Sequence, residues 1–442
     1  MALLSLAACE RTVVEAPELA THDDYREALA ESALADTLLG RGWLSAADDA
    51  VTAPTLLQLP HHEHGVFLPT ETRSIGIGFD AVEGQGLHLT LAVSEDSEGR
   101  LFADLYFLDL SGDQARSRHV TSFADLEGGV VPLERSGRYV VRLQPELLAS
   151  IDYRLRLEMD AAMAFPVSGH GPRNVGSVFG DPRDAGRRRH EGIDIFAPRA
   201  TAVVAVVDGT AVVRHSDLGG KTVWLRGEGK SFYYAHLDEV EIDGRQRVDA
   251  GDVLGFVGNS GNAVTAPPHL HFGIYRRGWG AVDPLPYVVA RTFAAAPQPV
   301  AYEPGFALVT AAELNLRPGP GTDRTALDRL PRDTPVRIVG ATDDWLRVRT
   351  TGGKAGWIHR NYQAGYGEAG SGGQRRYRPE RDAWILSAVR TGVPVGRARP
   401  QSTLEVFAEV PGWQLVGERV DEPLGWLEAA PGAMPESIAA SE

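Results

Sequence analysis

The sequence predicts a mainly β, multidomain chain: an N-terminal helix plus a β-sandwich, a central antiparallel β-sheet domain, and two small β-barrels. Three observations lead there. Apolar residues recur in short alternating runs instead of at sustained helical spacing. Glycine (49) and proline (28) separate those runs, as turn-rich strands require. The length of 442 residues exceeds what one hydrophobic core supports and implies several domains.

Composition narrows the function classes. The net charge of −15 opposes non-specific nucleic-acid binding, which draws on an overall basic balance. A single cysteine, Cys9, excludes an internal disulfide and a cysteine-based zinc cage. Leu6-Ala7-Ala8-Cys9 resembles a bacterial lipobox, in which the cysteine becomes the lipidated N-terminus. Residues 1–23 then read as a lipoprotein signal remnant and tether, with the true start upstream of Met1 because the apolar run is short and lacks a basic lead. The lipobox implies a lipid anchor in the cell envelope. Glu10 stands where an inner-membrane lipoprotein typically has aspartate, which favours the outer membrane, facing the periplasm. No later run approaches the ~18 apolar residues of a membrane span.

Residues 24–160 divide into a helix and a sandwich. Leu29, Leu34, Leu38 and Leu39 recur near helical spacing, so one amphipathic helix is expected from Tyr25 to Leu39, ended by Gly40 and Gly42. Alternating runs at Leu87–Val93, Leu101–Leu108, Tyr139–Leu143 and Tyr153–Leu157 supply the sandwich strands. His61, His62 and His64 cluster there. A solvated loop ahead of a strand is expected, with a metal site as the alternative. Residues 165–290 hold further short strands (201–207, 210–213, 221–225, 231–236, 253–257) and no convincing helix. Residues 291–303 form a linker, 304–363 a first barrel, 365–373 a Gly-rich linker and 380–430 a second barrel. The order Asp344-Trp345, Gly356-Trp357 recurs as Gly412-Trp413, Gly425-Trp426, the mark of an internal repeat.

The chemistry concentrates between His190 and His271. Neutral imidazole and carboxylate are good ligands for tetrahedral zinc, and a catalytic zinc keeps a position open for water. Gly192 and the β-branched Ile193 and Ile195 point to a strand. On it, His190 and Asp194 share a face at i and i+4; His269 and His271 share one at i and i+2. One of the latter pair can ligate while its neighbour contacts water or substrate.

The runs His190-Glu-Gly-Ile-Asp-Ile-Phe-Ala-Pro198, Tyr234-Ala-His-Leu237, Gly251–Gly261, Pro268-His-Leu-His-Phe272 and Val282-Asp-Pro284 together resemble the lysostaphin-type (LytM domain) zinc metallopeptidases, which cut peptidoglycan cross-links. The resemblance covers residues 175–288. It implies that His190, Asp194 and His271 bind Zn²⁺, and that His236 and His269 lie beside the open position as catalytic groups. It departs from the family at Gly273, where glutamate is common, and in the loop Ser260–Pro268; both changes are expected to alter the groove wall. Arg187, Arg188 and Arg189 read either as contacts for peptide carboxylates or as a solvated charge run. His170, His215 and His359 read as structural. Leu314-Asn-Leu-Arg-Pro-Gly-Pro-Gly321 resembles the opening of bacterial SH3-like domains, which implies binding of wall peptides or cover over the groove. The expected activity is a zinc endopeptidase acting on peptidoglycan peptides. The rival is a non-catalytic or autoinhibited LytM-type regulator that binds a partner hydrolase.

Overall fold

The structure is a computed structural model. It describes residues 21–429 apart from 70–72, 113–114, 124–126, 291–301, 303, 366–374, 390–392, 411 and 420–422. Cys9, the lipobox and most of both linkers lie outside the described residues.

Two helices open the described chain, not one. The first, His22–Glu31, starts on a capping box between Thr21 and Asp24. It ends before Ala33, which takes a left-handed backbone (φ 58°). Thr37 then caps a second helix, Leu38–Thr52, through its hydroxyl and the amide of Gly40. Gly40 therefore lies inside a helix instead of ending one. A Cβ at Gly40 would meet the Leu34 carbonyl oxygen at 2.0 Å, so glycine lets the second helix close on the preceding turn. Of the four leucines expected on one face, only Leu29 is buried, with Trp43 and Phe102; Leu34, Leu38 and Leu39 are exposed.

The helices cover one sheet of the sandwich, ordered Thr55–Leu56, Ile75–Ala81, Gly137–Pro145, Leu101–Asp109, Arg116–Ser122. Trp43 Nε1 donates to the Pro145 carbonyl (2.8 Å). The facing strands are His61–Phe67, Ile151–Ala161, Gln85–Val93 and Glu127–Pro132. Alternation decides which side is core: Ile151, Tyr153, Leu155, Leu157 and Met159 point inward, while Arg154, Arg156 and Asp160 face water.

The histidine cluster is neither a solvated loop nor a metal group. His61, His62 and His64 lie on the strand His61–Phe67, with His61 and His62 buried. Each ring meets a different carboxylate through Nε2: His61 with Glu63 (3.2 Å), His62 with Glu158 (3.1 Å), His64 with Asp152 (2.8 Å). This strand also joins the sandwich to the first C-terminal barrel. His64 and Gly65 pair with Ala341 and Gly340, which places both domains in one nine-stranded sheet. Beside that seam the wholly buried Glu63 receives Arg347 Nη2 (2.6 Å) and the Tyr153 hydroxyl (2.7 Å).

The central domain is a ten-stranded sheet, antiparallel throughout. Its only α-helix among the described residues is the single turn Leu285–Val288. The strand His269–Arg276 runs between Ile193–Phe196 and Lys230–Val240. Glu83 of the sandwich holds this domain through Arg276 Nη1 (2.6 Å) and the Tyr287 hydroxyl (2.8 Å).

The two C-terminal modules have separate cores. They place their tryptophans alike: Trp345 and Trp413 each begin a strand half-buried, while Trp357 and Trp426 are buried in the strands Ala355–His359 and Gly425–Glu428. Trp426 Nε1 donates to the Asp333 carbonyl (2.7 Å), which ties the second module to the first.

Candidate metal centre and active site

Strand register brings the first two residues of the centre together. Asp194 and His271 are direct partners on neighbouring antiparallel strands, so their side chains leave the same face. His190 arrives differently from the expected strand position. It precedes the strand Ile193–Phe196 and reaches the centre across a bend at Gly192. A Cβ on Gly192 would lie 2.3 Å from the Phe272 carbonyl oxygen and 2.9 Å from His271 Cε1, so only glycine lets the chain pass this close.

Three atoms converge. His190 Nε2 lies 2.9 Å from His271 Nδ1 and 3.1 Å from Asp194 Oδ1, and His271 Nδ1 lies 3.0 Å from Asp194 Oδ1. His190 Nδ1 faces the Val178 carbonyl (2.9 Å), which places the ring proton there and turns the Nε2 lone pair inward. With neutral rings, at most one hydrogen, on His271 Nδ1, then serves three short contacts. Lone pairs are left facing one another, and a cation at their centre relieves this. The residues fit a metal ion on that ground, and among the described residues they form the one such His/Asp group. Burial alone would raise the Asp194 pKa; its contacts with His190 and His271 outweigh this and hold the carboxyl well below the usual range.

Two further imidazoles stand beside the centre. His236 lies in the strand Lys230–Val240 where the register shifts, with φ of 64°, a left-handed conformation unusual for a non-glycine residue. Its Nδ1 faces the Ser260 carbonyl (2.9 Å), and His269 Nδ1 faces that of Pro267 (2.9 Å). In the neutral form each ring therefore presents Nε2 as an acceptor. Burial pushes the His236 pKa down to about 4, helped by the neighbouring His269 and His271. The ring centroids of His236 lie 5.1 Å from His269 and 6.0 Å from His271. The loop Ser260–Pro268, expected to shape the groove wall, thus carries the carbonyls that orient both histidines.

The sequence reading missed Arg183. Its Nη2 donates to Asp194 Oδ2 (2.6 Å) and Ser177 Oγ (2.7 Å), which leaves Oδ1 for the centre. Arg187, Arg188 and Arg189 are exposed. His170, His215 and His359 lie outside the centre.

The sheet gathers two imidazoles and a carboxylate, a donor set that suits a metal ion, with two further imidazoles at the rim. Residues 188–284 match peptidase family M23 and residues 312–363 match the bacterial SH3 domain, so the chain carries an M23 peptidase domain followed by a bacterial SH3 domain. The L-Ala--D-Glu endopeptidase of Bacillus subtilis (strain 168) is 36% identical over 141 residues, 29% of this chain and 43% of that protein. The murein hydrolase activator NlpD of Salmonella dublin is 29% identical over 134 residues, 30% of this chain and 32% of that protein. The catalytic domain of the antimicrobial peptidase lysostaphin from Staphylococcus simulans is 28% identical, covering 26% of this chain and 92% of that one, with a TM-score of 0.24. The chain spans less than half the length of the curated relatives it matches.

Proposed function

We propose that the chain is a zinc-dependent endopeptidase that hydrolyses amide bonds in peptidoglycan stem peptides or cross-links. The observation that carries this reading is the convergence of His190 Nε2, Asp194 Oδ1 and His271 Nδ1 within hydrogen-bond distance of one another. These three residues would hold Zn²⁺, which when bound lowers the pKa of water to ~7 and polarises a carbonyl. His236 and His269 offer Nε2 lone pairs beside the centre. One accepts the proton of the attacking water, and its imidazolium returns that proton to the leaving amine. The other, as an imidazolium protonated by solvent, would donate from Nε2 to the oxyanion of the tetrahedral intermediate. Ser260 and Pro267 fix both rings through Nδ1, so neither role requires the rings to reorient.

His236→Ala is expected to keep stoichiometric zinc and to lower turnover by about 10²–10⁴-fold. Metal analysis and peptide release from isolated sacculi measure the two effects; wild-type turnover in this variant would remove His236 from the mechanism.

A non-catalytic regulator is the second reading, favoured by the likeness to the Salmonella murein hydrolase activator. The full set of His190, Asp194, His236, His269 and His271 weighs against it. Zinc-loaded protein that releases no peptide from sacculi, even without its flanking domains, would decide for the regulator.

The SH3 domain, and a diverged SH3-like second module at 380–430, are read as binding wall peptides or covering the groove. The proposed location is the cell envelope, with a lipid anchor on Cys9 at the periplasmic face of the outer membrane. Cys9→Ala is expected to leave an unlipidated precursor that partitions into the soluble fraction on detergent-free fractionation; an unchanged membrane fraction sinks the anchor.

A further inference from the structure

A cleft of roughly 660 Å³ opens where the end of the Leu38–Thr52 helix, the start of the Ile75–Ala81 strand and the SH3 domain meet. Its lining combines apolar surface, including Leu56, Leu327 and the buried Trp357, with three guanidinium groups, Arg73, Arg324 and Arg347. Asp49 is the one carboxylate in this lining, and Arg324 also borders an adjoining pocket that holds Asp323 and Asp343. Arg347 is already engaged, paired with Glu63 (2.6 Å) and lying over the Trp357 ring (4.8 Å).

Arg324 differs. Among the described residues its guanidinium has no hydrogen bond or ion pair, and its Nε is buried without an acceptor. The group is nonetheless held. A Cβ on Gly319 would lie 3.2 Å from Arg324 Nε and 3.3 Å from Cζ, so Gly319 lies close against the guanidinium. Arg317 Nη1 donates to the Arg324 carbonyl and fixes the backbone beneath it. Nε is covered there, so the terminal amino groups are what the guanidinium can offer a ligand. The planar fork of arginine matches a carboxylate in two parallel hydrogen bonds.

We infer that this cleft binds a peptide bearing a free carboxylate, anchored by Arg324, with the neighbouring side chain against Leu56, Leu327 and Trp357. The apolar lining selects a peptide over an inorganic anion. The choice of ligand rests on the endopeptidase reading, because amide hydrolysis releases a C-terminal carboxylate with every cut.

The test titrates Ala-Ala-Ala as the free acid, its C-terminal amide, and inorganic phosphate into the full chain by calorimetry, with Arg324→Gln and Leu327→Glu as variants. The free acid should bind about tenfold or more tighter than the amide. Arg324→Gln should erase that difference, and Leu327→Glu should weaken the free acid. Equal binding of acid and amide, a preference that survives Arg324→Gln, tighter binding of phosphate, or no binding of any probe overturns the inference. Hydrolysis of sacculi by the unaltered chain is scored separately. Acid-specific binding in a chain that cuts nothing keeps the cleft and removes the endopeptidase; cutting without acid-specific binding does the reverse.

Discussion

His271→Ala is expected to abolish both zinc retention and peptide release. Each of the three converging atoms supplies one lone pair to the centre, and the substitution leaves only His190 Nε2 and Asp194 Oδ1. Two protein ligands hold zinc far more weakly than three, and the activation of water goes with the ion. Metal per chain should fall from about one equivalent to trace after dialysis, and release of peptides from sacculi should fall to background. The fold should survive. The His271 ring contributes little to the core, which on this strand consists of Leu270, Phe272 and Ile274. A variant that retains one tightly bound zinc would show that the ion sits elsewhere. This result is distinct from that of His236→Ala, where metal and turnover part company, so the pair separates ligand from proton carrier.

Much of this centre was legible because its determinants are local. His269 and His271 do lie two apart on one strand, and the antiparallel sheet follows from short runs broken by glycine. What was not legible depends on backbone geometry or on distant residues. His190 joins the centre over the Gly192 bend, so a strand spacing of four placed it correctly for the wrong reason. The left-handed backbone of His236 leaves no mark in the residue types around it. Arg183 was passed over for the denser Arg187–Arg189 run, although its contact with Asp194 is set by folding of the segment between them. The expected single helix failed at Ala33 because leucine spacing does not report a turn stabilised by Thr37 and Gly40.

The largest gap between sequence and structure is the His61–His64 strand, and it changes the reading of the SH3 domain. A freely tethered module would act through effective concentration alone. Here the sandwich strand pairs directly with strand Pro335–Thr342, and Arg347 reaches Glu63 across 284 positions of sequence. No local pattern announces such a partner. The SH3 domain is therefore positioned by the sandwich, and the sandwich is in turn fixed to the peptidase domain through Glu83.

Arg347→Met tests that arrangement and should cost about 3–5 kcal/mol, because it leaves the Glu63 carboxylate buried without its counter-charge. Glu63→Gln in the same chain should recover much of the loss, since removing both charges removes the uncompensated burial. Hydrogen exchange along His61–Phe67 and Pro335–Thr342 localises the effect, and slow exchange there in Arg347→Met would refute the role of the pair. Acid should act in the same direction. Burial alone would raise the Glu63 pKa, but Arg347, His61 and Tyr153 outweigh it and lower the value in the folded chain. A carboxylate lowered in the folded state stabilises fully above its unfolded pKa of about 4.3, and that contribution fades as pH falls through the folded value. Exchange at the seam should therefore be unchanged between neutral pH and about pH 5 after correction for intrinsic rates, then rise as the pH is lowered further, in wild type but far less in the double variant.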